Sequence, residues 1–476
     1  MEFNNKCYIV DAICGSGKTS AIINMINNSD KDKRFLIISP YLSEVERYKR
    51  ECPSKDFRTP PPITKTGKSK LTMLKQLIRE GRNIVSTHAL FNKFDNEIIE
   101  ICRAAQYDLI LDEVADVVES YVIGPDDFST LMNYVDVDPN TRQLVWKPSK
   151  AYYNDEKFAE EKRLCELGSL VLYPSKNEDN KDTTKNTNLL VWTLPISIFN
   201  SFDNIYILTY LFNCQYQKYY YDYYGLKYEY LSVEGNSKEN YHLVPYEQNK
   251  SYIKYDYSKL IHIVDDEKLN RIGTDGLPQQ IDFLLSKSWY DRMSNTDVVM
   301  KSLKNNLINF FNNRCNDGSI YNLWTCFKDY KYLLKGKGYS GGYVYPRKIR
   351  EGTAPNSKKK LSIKELSKEN IYTPDGDLIG YCNIYGFAAM NMRATNDYIQ
   401  TKNIAYPVNR FMRTGVKNFF IMNGVSVDEG KWALSEMLQF IFRSSLRDGK
   451  EINIYVPSIR MRRLLEQWIK DNPLPE

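Results

Sequence analysis

Histidine is rare in this sequence, which has three in 476 residues, and its nine cysteines show no paired zinc-type spacing. No apolar signal segment precedes the first predicted strand, so we expect reduced thiols and a cytoplasmic location, in the host if the protein is viral. No apolar run approaches the length that spans a bilayer, which argues against a membrane partner. The net charge of +6 permits nucleic-acid binding but does not indicate it.

A glycine-rich turn near the N-terminus is the most informative motif. The apolar residues 7–10 are followed by residues 12–19 (AICGSGKT) and then by a helical stretch over residues 20–27. A strand, a tight turn and a helix that opens with Lys-Thr form the arrangement that wraps the phosphates of a nucleotide. Lys18 would bind the β- and γ-phosphates and Thr19 would bind Mg²⁺. The predicted ATP-binding residues are Gly15, Ser16, Gly17, Lys18, Thr19 and Ser20.

An acidic pair after a second apolar run predicts the other half of a nucleotide site. Residues 107–114 read YDLILDEV, and the apolar residues 109–111 lack the alternation of a half-exposed strand. Asp112 would hold Mg²⁺ through water, and Glu113 would orient or deprotonate the attacking water. The alternative, that the pair only caps the next helix, is weakened by the phosphate-binding turn upstream.

Three further apolar runs end in hydroxyl-bearing residues and also predict strands. They are residues 35–40 (FLIISP), 83–88 (NIVSTH) and 204–211 (NIYILTYL), with hydroxyls at Ser39, Thr87 and Thr209. Together with the two motif strands they predict one α/β unit over residues 1–212, in which the polar residues 175–188 form a flexible loop. Residues 216–230 hold eight tyrosines, which favour a packed amphipathic segment over a base-stacking row.

A second unit is predicted from about residue 255. Residues 260–264 predict a strand, residues 298–312 an amphipathic helix, and residues 358–369 an exposed lysine-rich insertion. The sequence ALSEMLQFIFRSSLR, at residues 433–447, predicts a helix on which Gln439, Arg443 and Arg447 share one face. Such a helix in a second domain could supply an arginine finger, whereas the alternative is an exposed ladder with solvated charges.

These motifs, in this order, resemble those of superfamily 2 helicases, DEAD/DEAH-like in the broad sense. The A-x-x-G-x-G-K-T form, with Ala12 where the general P-loop pattern has glycine, is typical of that family. Residues 324–339, 393–398 and 434–458 are similar to a group of phage-encoded helicases. The last motif of the family reads Q-x-x-G-R-x-x-R. Here Phe442 replaces the glycine, and the second arginine comes one residue late.

The resemblance implies an α/β fold with two RecA-like P-loop NTPase domains, each a mostly parallel sheet flanked by helices, with insertions. The domains would be residues 1–212 and 255–476, joined by a tyrosine-rich connecting region over residues 213–254, with an insertion near 347–380. ATP and Mg²⁺ would bind between the domains. The residues that the resemblance assigns to nucleic-acid contact or coupling are Ser39, Thr87, Thr209 and Thr395. The residues that it assigns to catalysis are Glu113, Gln439, Arg443 and Arg447.

The activity implied is ATP-dependent movement along DNA, or its unwinding, in phage replication or recombination. Single-stranded or tailed duplex DNA would be the partner, with RNA as an alternative and phage replication proteins as further partners. A packaging motor would need a C-terminal nuclease with clustered carboxylates, and the arginine helix occupies that region. The alternative from another class is a nucleotide-switched DNA-binding initiator or helicase loader that does not unwind. Glu113 favours the enzyme, because a switch has less need of a residue that orients water.

Overall fold

The computed structural model divides the chain into two compact units. The first unit comprises Met1–Gln248 and Met412–Glu429, and the second comprises Asn249–Phe411 and Gly430–Glu476. The residues that the structure describes are 6–40, 42–61, 67–150, 156–174, 188–246, 253–272, 282–294, 297–336, 338–339, 370–372, 378–381, 386–390 and 398–474.

A seven-stranded sheet forms the centre of the first unit, in the order β12-β11-β1-β10-β4-β2-β3. The strands of this unit are β1 Lys6–Asp11, β2 Arg34–Ser39, β3 Ile84–Thr87, β4 Tyr107–Asp112, β5 Val118–Ser120, β6 Val135–Val137, β7 Leu144–Trp146, β8 Leu170–Pro174, β9 Asn188–Thr193, β10 Asn204–Thr209, β11 Glu229–Glu234 and β12 His242–Pro245. The neighbours in the large sheet run parallel except for β12, which is antiparallel to β11. The expected α/β fold with a mostly parallel sheet is therefore confirmed.

The first unit also contains α-helices. They are α1 Lys18–Asn27, α2 Leu42–Glu51, α3 Lys70–Arg79, α4 His88–Phe91, α5 Asn96–Ala105, α6 Pro125–Leu131, α7 Ala159–Glu166 and α8 Tyr216–Tyr224. Residues 109–111 of β4 are fully buried, which explains why their sequence is apolar without alternation. Local capping sets some helix starts, since Asp95 accepts a hydrogen bond from the Ile98 N–H at the start of α5.

Smaller sheets complete the first unit. Strands β5, β9 and β8 form an antiparallel sheet in that order, and β6 pairs with β7. Residues 213–246, expected as a connecting region, contribute α8 and the two strands β11 and β12 to the first unit. Three of the tyrosines in α8, Tyr219, Tyr220 and Tyr221, are buried, so this helix uses its aromatic rings for packing.

A four-stranded parallel sheet, in the order β13-β18-β17-β14, forms the centre of the second unit. The strands of this unit are β13 Ile261–Ile263, β14 Asn322–Trp324, β15 Asn370–Tyr372, β16 Leu378–Tyr381, β17 Asn403–Ala405 and β18 Ile452–Tyr455. Its helices before residue 400 are α9 Tyr257–Leu260, α10 Glu267–Asn270, α11 Lys287–Asp291, α12 Val298–Asn309 and α13 Lys331–Leu334. The core is aromatic: the Trp324 ring packs edge-on against Tyr339 at 5.3 Å, and its indole N–H donates to the Tyr339 carbonyl.

Residues 412–429, here called the arm, come from the C-terminal half of the chain but belong to the first unit. The arm contains helix α14 Thr414–Met422, which packs against β5, β9 and α8. The chain then continues through α15 Glu429–Ile441 and α16 Ile459–Asp471 in the second unit. The expected uninterrupted C-terminal domain is therefore divided by a segment that packs elsewhere.

Candidate nucleotide-binding site

The glycine-rich turn joins β1 to α1 and has the backbone shape that its glycines predict. Gly15 has φ 84° and Gly17 has φ 93°, both in the left-handed region where a side chain is strained. A Cβ on Gly17 would also lie 2.6 Å from ring carbons of Tyr241, so Gly17 cannot be replaced without a shift of its surroundings. The main chain therefore turns tightly at the point where the helix begins.

Lys18 is the first residue of α1, and its ammonium group folds back over the turn. It donates hydrogen bonds to the Ala12 carbonyl at 2.5 Å and to the Ile13 carbonyl at 3.1 Å. The positive charge therefore lies inside the curve of the turn. The Ser16 hydroxyl in the same turn is buried without a hydrogen-bond partner in the part of the chain that the structure describes.

The acidic pair ends β4, and the sheet brings it to the turn. Strand β10 lies between β1 and β4, so the two motif strands are about 10 Å apart, twice the usual strand spacing. Side chains bridge that gap, because the Thr19 hydroxyl donates to Asp112 Oδ1 at 3.5 Å. The structure thus brings together the two predicted Mg²⁺ ligands.

Asp112 is 7% exposed, and its environment disfavours a negative charge. Burial, together with the nearby carboxylates of Glu44 and Glu113, raises the pKa of this carboxyl to about 7. Arg47 and Lys18 act in the opposite direction, but they do not balance the burial. A bound cation would supply the missing positive charge.

Glu113 adopts a strained backbone conformation directly after Asp112. Its φ is 89°, a region that residues other than glycine rarely occupy, and its N–H donates to the Leu208 carbonyl at 3.0 Å. Its Oε2 atom is buried and has no hydrogen-bond partner among the described residues. Strain and an unsatisfied buried oxygen both cost stability, and such features concentrate at functional sites.

Asp11 was not predicted as a site residue, yet it connects the two central strands. Its carboxylate accepts hydrogen bonds from the N–H groups of Leu211 at 2.9 Å and Phe212 at 3.0 Å. Burial raises the pKa of Asp11, and these two bonds partly oppose that effect. The position of this acid, just before the glycine-rich turn, was the available sequence signal.

A second missed residue, Arg47 on α2, contacts helix α1. Its guanidinium donates to the Ser20 hydroxyl at 3.0 Å and forms ion pairs with Glu44 at 3.4 Å and Glu51 at 3.2 Å. Ser20, which the sequence assigned to ATP binding, is therefore buried against Arg47. The spacing of Glu44, Arg47 and Glu51 gave no signal beyond that of a salt-bridged helix surface.

The hydroxyl-bearing strand ends lie at the same edge of the sheet as the acidic pair. Ser39 is paired with Thr87, and Thr209 is paired with Asp11. The Ser39 and Thr209 side chains are fully buried, whereas Thr87 is partly exposed. Ser39 and Thr209 can therefore act on the loops that follow them, but not on a ligand in solvent.

The predicted arginine face in the second unit is wrong. Helix α15 ends at Ile441, and a 3₁₀ turn over Ser445–Asp448 follows. Ser444 separates the two elements: its hydroxyl donates to the Ile441 carbonyl at 2.7 Å and accepts from the Leu446 N–H. Such side-chain bonds compete with helical ones, so the helix stops.

The three predicted residues of this region consequently lie in different local structures. Gln439 is on α15, Arg443 follows the end of that helix, and Arg447 is in the 3₁₀ turn. Arg443 is 4% exposed, its guanidinium donates to the Ala389 carbonyl at 3.4 Å, and it lies 5.6 Å from the Phe440 ring centre. The alternative, in which this arginine is exposed and its charge is solvated, is therefore excluded for Arg443.

Several predicted features lie outside the described residues. Among them are Thr395, the lysine-rich residues 358–369 and nearly all of the predicted loop at residues 175–188. Within the described ranges, no group of three or more His, Cys, Asp or Glu side chains could hold a metal ion. In the same ranges, no helix has the length and apolar character needed to cross a membrane. The eight cysteines described there form no disulfide.

The sequence matches a family model and a prophage-derived protein. Residues 255–469 match a family model described as the YonV C-terminal Rossmann-like domain. The chain is 33% identical over 469 residues to the SPbeta prophage-derived uncharacterized protein YonV of Bacillus subtilis (strain 168). That alignment covers 97% of this chain and 98% of the relative.

Two solved structures are similar at a lower level. S. tokodaii Xpd4 has a TM-score of 0.38 and 10% identity, over 97% of this chain and 94% of that protein. The DUF1998 helicase MrfA, bound to DNA and AMPPNP, has a TM-score of 0.31 and 11% identity, over 98% of this chain and 49% of that protein. Neither similarity is close enough to assign a function.

Proposed function

The chain belongs to the family of the SPbeta prophage-derived protein YonV, and we propose that it is an ATP-dependent nucleic-acid helicase or translocase of superfamily 2. One observation carries the proposal: the Thr19 hydroxyl, next to Lys18, lies 3.5 Å from the Asp112 carboxylate. The phosphate-binding turn and the acidic pair thus form one site, as a nucleoside triphosphatase requires. In this proposal each unit has a RecA-like fold.

ATP and Mg²⁺ fit the residues at this site. The concave turn offers backbone N–H groups and the Lys18 ammonium to phosphate oxygens. Mg²⁺ is usually held by one or two carboxylates together with substrate phosphates, so Thr19 and Asp112 are a sufficient donor set without a larger acidic cluster. A bound cation would stabilise the deprotonated form of the Asp112 carboxyl, which burial otherwise disfavours. When bound, the ion would neutralise charge on the phosphates.

Glu113 is the proposed base that orients the attacking water. Its Oε2 is buried and unsatisfied among the described residues, so it is available to accept a hydrogen bond from water. The backbone of Glu113 is strained, with φ 89°, and strain of this kind concentrates at functional sites. In this proposal Asp112 holds the metal ion and Glu113 orients the water. Arg443 is the proposed arginine finger, with Gln439 and Arg447 as further catalytic residues.

DNA is the proposed partner, single-stranded or as a tailed duplex, with RNA as an alternative substrate. Thr87 and Thr395 are the proposed phosphate contacts, and the buried Ser39 and Thr209 would couple the nucleotide site to the loops that follow them. The prophage origin of the relative supports a role in phage replication or recombination.

Strand displacement distinguishes this proposal from a nucleotide-switched initiator or helicase loader. Labelled duplexes with a 3′ tail, a 5′ tail or blunt ends should be incubated with the protein and Mg²⁺–ATP. We expect ATP-dependent release of the labelled strand from one tailed substrate and none from the blunt duplex. DNA binding that depends on ATP, without strand release or movement, would favour the switch.

A further inference from the structure

A buried hydrogen bond joins the loop that follows Glu113 to helix α8. Two residues after the strained Glu113, the Ala115 N–H donates to the side-chain oxygen of Gln217 at 2.8 Å. Gln217 is fully buried, and its amide nitrogen donates to the Tyr221 hydroxyl at 3.0 Å. Leaving a buried N–H unpaired is destabilising, so the loop and α8 are expected to move together.

The same helix holds both ends of the arm, residues 412–429. Near the start of the arm, the Arg413 N–H donates to the Tyr216 hydroxyl at 3.3 Å. Near its end, the Asp428 N–H donates to the Tyr219 hydroxyl at 2.9 Å, and the Tyr219 side chain is buried. A shift of α8 therefore changes the position of both ends.

Hydrogen bonds within the arm join its two ends, so we expect it to move as a single segment. The carboxylate of Glu429 accepts hydrogen bonds from the Met412 N–H and from the Lys417 ammonium, each at 3.0 Å. Helix α14 adds aromatic packing, in which the Phe420 ring lies 5.7 Å from the Tyr219 ring. Most of these contacts are at least partly buried, so solvent weakens them less than a surface ion pair.

A second connection, between the exposed side chains of Glu119 on β5 and Arg413, spans 3.1 Å. Exposed ion pairs contribute about 0–1 kcal/mol, so this one cannot replace the buried contacts. The hydrogen bonds of Gln217 and Tyr219 are the stronger route from the acidic pair to the arm.

Both ends of the arm continue directly into the second unit. The chain enters the arm from Phe411 and leaves it into Gly430, both of which belong to that unit. Helix α15 begins at Glu429 and ends at Ile441, two residues before Arg443. A displacement of the arm is thus passed covalently to the segment that bears the proposed finger.

We propose that Gln217 and Tyr219 are positioning residues that transmit the nucleotide state of the Glu113 loop through α8 to the arm, and from there to the second unit. This inference rests on the proposed function, because it takes the Asp112–Glu113 site to bind ATP. Such a relay has two requirements: the loop must respond to nucleotide, and the arm must follow the loop. At Tyr219 the second requirement can be removed without changing a contact of the loop that follows Glu113.

The test compares single hydroxyl and amide removals in the full chain. Tyr219→Phe removes the acceptor of the Asp428 N–H, and Gln217→Leu removes the acceptor of the Ala115 N–H. Glu119→Gln is the control, because it removes a charge on β5, outside α8, that pairs with Arg413 of the same arm at 3.1 Å. Circular dichroism and thermal unfolding identify any variant that does not fold.

Two quantities are measured for each protein with and without Mg²⁺ and AMP-PNP, an ATP analogue that is not hydrolysed. Calorimetry gives nucleotide affinity, and hydrogen–deuterium exchange gives the exchange rate of amides in residues 412–429. We expect nucleotide to change the arm exchange rate by about fivefold or more in the unmodified protein and in Glu119→Gln, a typical coupling factor. Tyr219→Phe and Gln217→Leu should keep nucleotide affinity within about twofold and lose that response.

The outcomes separate the relay from the function on which it rests. A response that persists in Tyr219→Phe and Gln217→Leu overturns the relay, as does an arm that does not respond in the unmodified protein although nucleotide binds. No nucleotide binding by the unmodified protein overturns the proposed function and the relay together. Loss of the response in the Glu119→Gln control also overturns the relay, because it would show that weakening any contact of the arm removes the response.

Discussion

The Thr19 hydroxyl and the Asp112 carboxylate are 3.5 Å apart, although Thr19 follows β1, Asp112 ends β4, and β10 lies between these strands. A parallel sheet places the carboxyl ends of its strands at one edge, which is where ligands bind in such folds. Two motifs that are distant in the sequence thereby form one site. The predictions below test what that site does.

Replacing Lys18 with alanine should abolish ATP hydrolysis and weaken nucleotide binding while leaving the fold intact. Among the described residues its ammonium donates to carbonyls of the turn, so we expect it to contribute charge to the site rather than packing to the core. We expect turnover to fall by about 10²–10³-fold, the scale of losing one preorganised electrostatic group. Phosphate release and calorimetry measure both effects. Lys49→Ala, which alters a lysine paired with Glu46 on α2, is the control, and normal turnover in folded Lys18→Ala would contradict the phosphate-binding turn.

Replacing Glu113 with glutamine should separate binding from hydrolysis. The amide keeps the size of the side chain but cannot take a proton from water, so we expect turnover to fall by about 10²–10⁴-fold. ATP affinity should stay near normal because Asp112 still holds the metal. Single-turnover hydrolysis and nucleotide titration measure the two quantities. Wild-type turnover would reduce Glu113 to a strained residue without a catalytic role.

Replacing Arg443 with alanine should lower turnover by about 10³-fold or more, the usual effect of losing an arginine finger. ATP affinity should fall less than in Lys18→Ala, because a finger acts mainly in the transition state. Arg447→Ala should show a smaller or similar defect. Single-turnover hydrolysis with saturating single-stranded DNA measures these rates.

Burial makes a folding control necessary for Arg443. Its contacts with the Ala389 carbonyl and the Phe440 ring would be lost in Arg443→Ala. Arg443→Lys keeps the charge and part of the chain length, so it should retain the fold while losing the planar contact with phosphate. Near-normal rates in folded Arg443→Ala and Arg447→Ala would contradict an arginine finger in this region.

The stability of the protein without nucleotide should fall as pH rises. Burial raises the folded pKa of Asp112 to about 7, whereas the unfolded value is about 3.9. The stability linked to this group is therefore greatest below about pH 4 and is lost progressively as pH rises through about 7. Between about pH 5 and about pH 8 the loss should be about 2 kcal/mol. Urea unfolding in EDTA measures it, and Asp112→Asn, neutral at every pH, should lack this component. Equal pH dependence in both proteins would contradict a buried, metal-free carboxylate.

The strands that carry the site could be predicted from the sequence, because buried parallel strands require continuous apolar runs such as residues 109–111. The glycine-rich turn was also predictable, since left-handed backbone and close approach both select glycine. These signals are local. Each depends on a few consecutive residues, whereas the strand or side chain that each motif contacts is known only from the structure.

The contacts that join distant segments could not be predicted in the same way. The hydrogen bonds of Asp11 to residues 211–212 and of Arg47 to Ser20 depend on which strands and helices become neighbours. Helix α15 ends at Ile441 because the Ser444 hydroxyl bonds to the local backbone. In the sequence this serine is a weaker signal than the apolar periodicity, which continues past it and predicts a longer helix. The assignment of the arm to the first unit depends likewise on long-range packing, for which its sequence carries no local signal.

The central claim is that the Lys18 and Glu113 site hydrolyses ATP in response to nucleic acid. The most direct measurement is steady-state phosphate release by the unmodified protein and by Glu113→Gln, with and without single-stranded DNA. We expect the unmodified protein to hydrolyse ATP and to be stimulated by about tenfold or more when DNA is added, a coupling of ordinary size, and Glu113→Gln to stay slow in both conditions. Turnover that ignores DNA, or that persists in Glu113→Gln, would contradict the account.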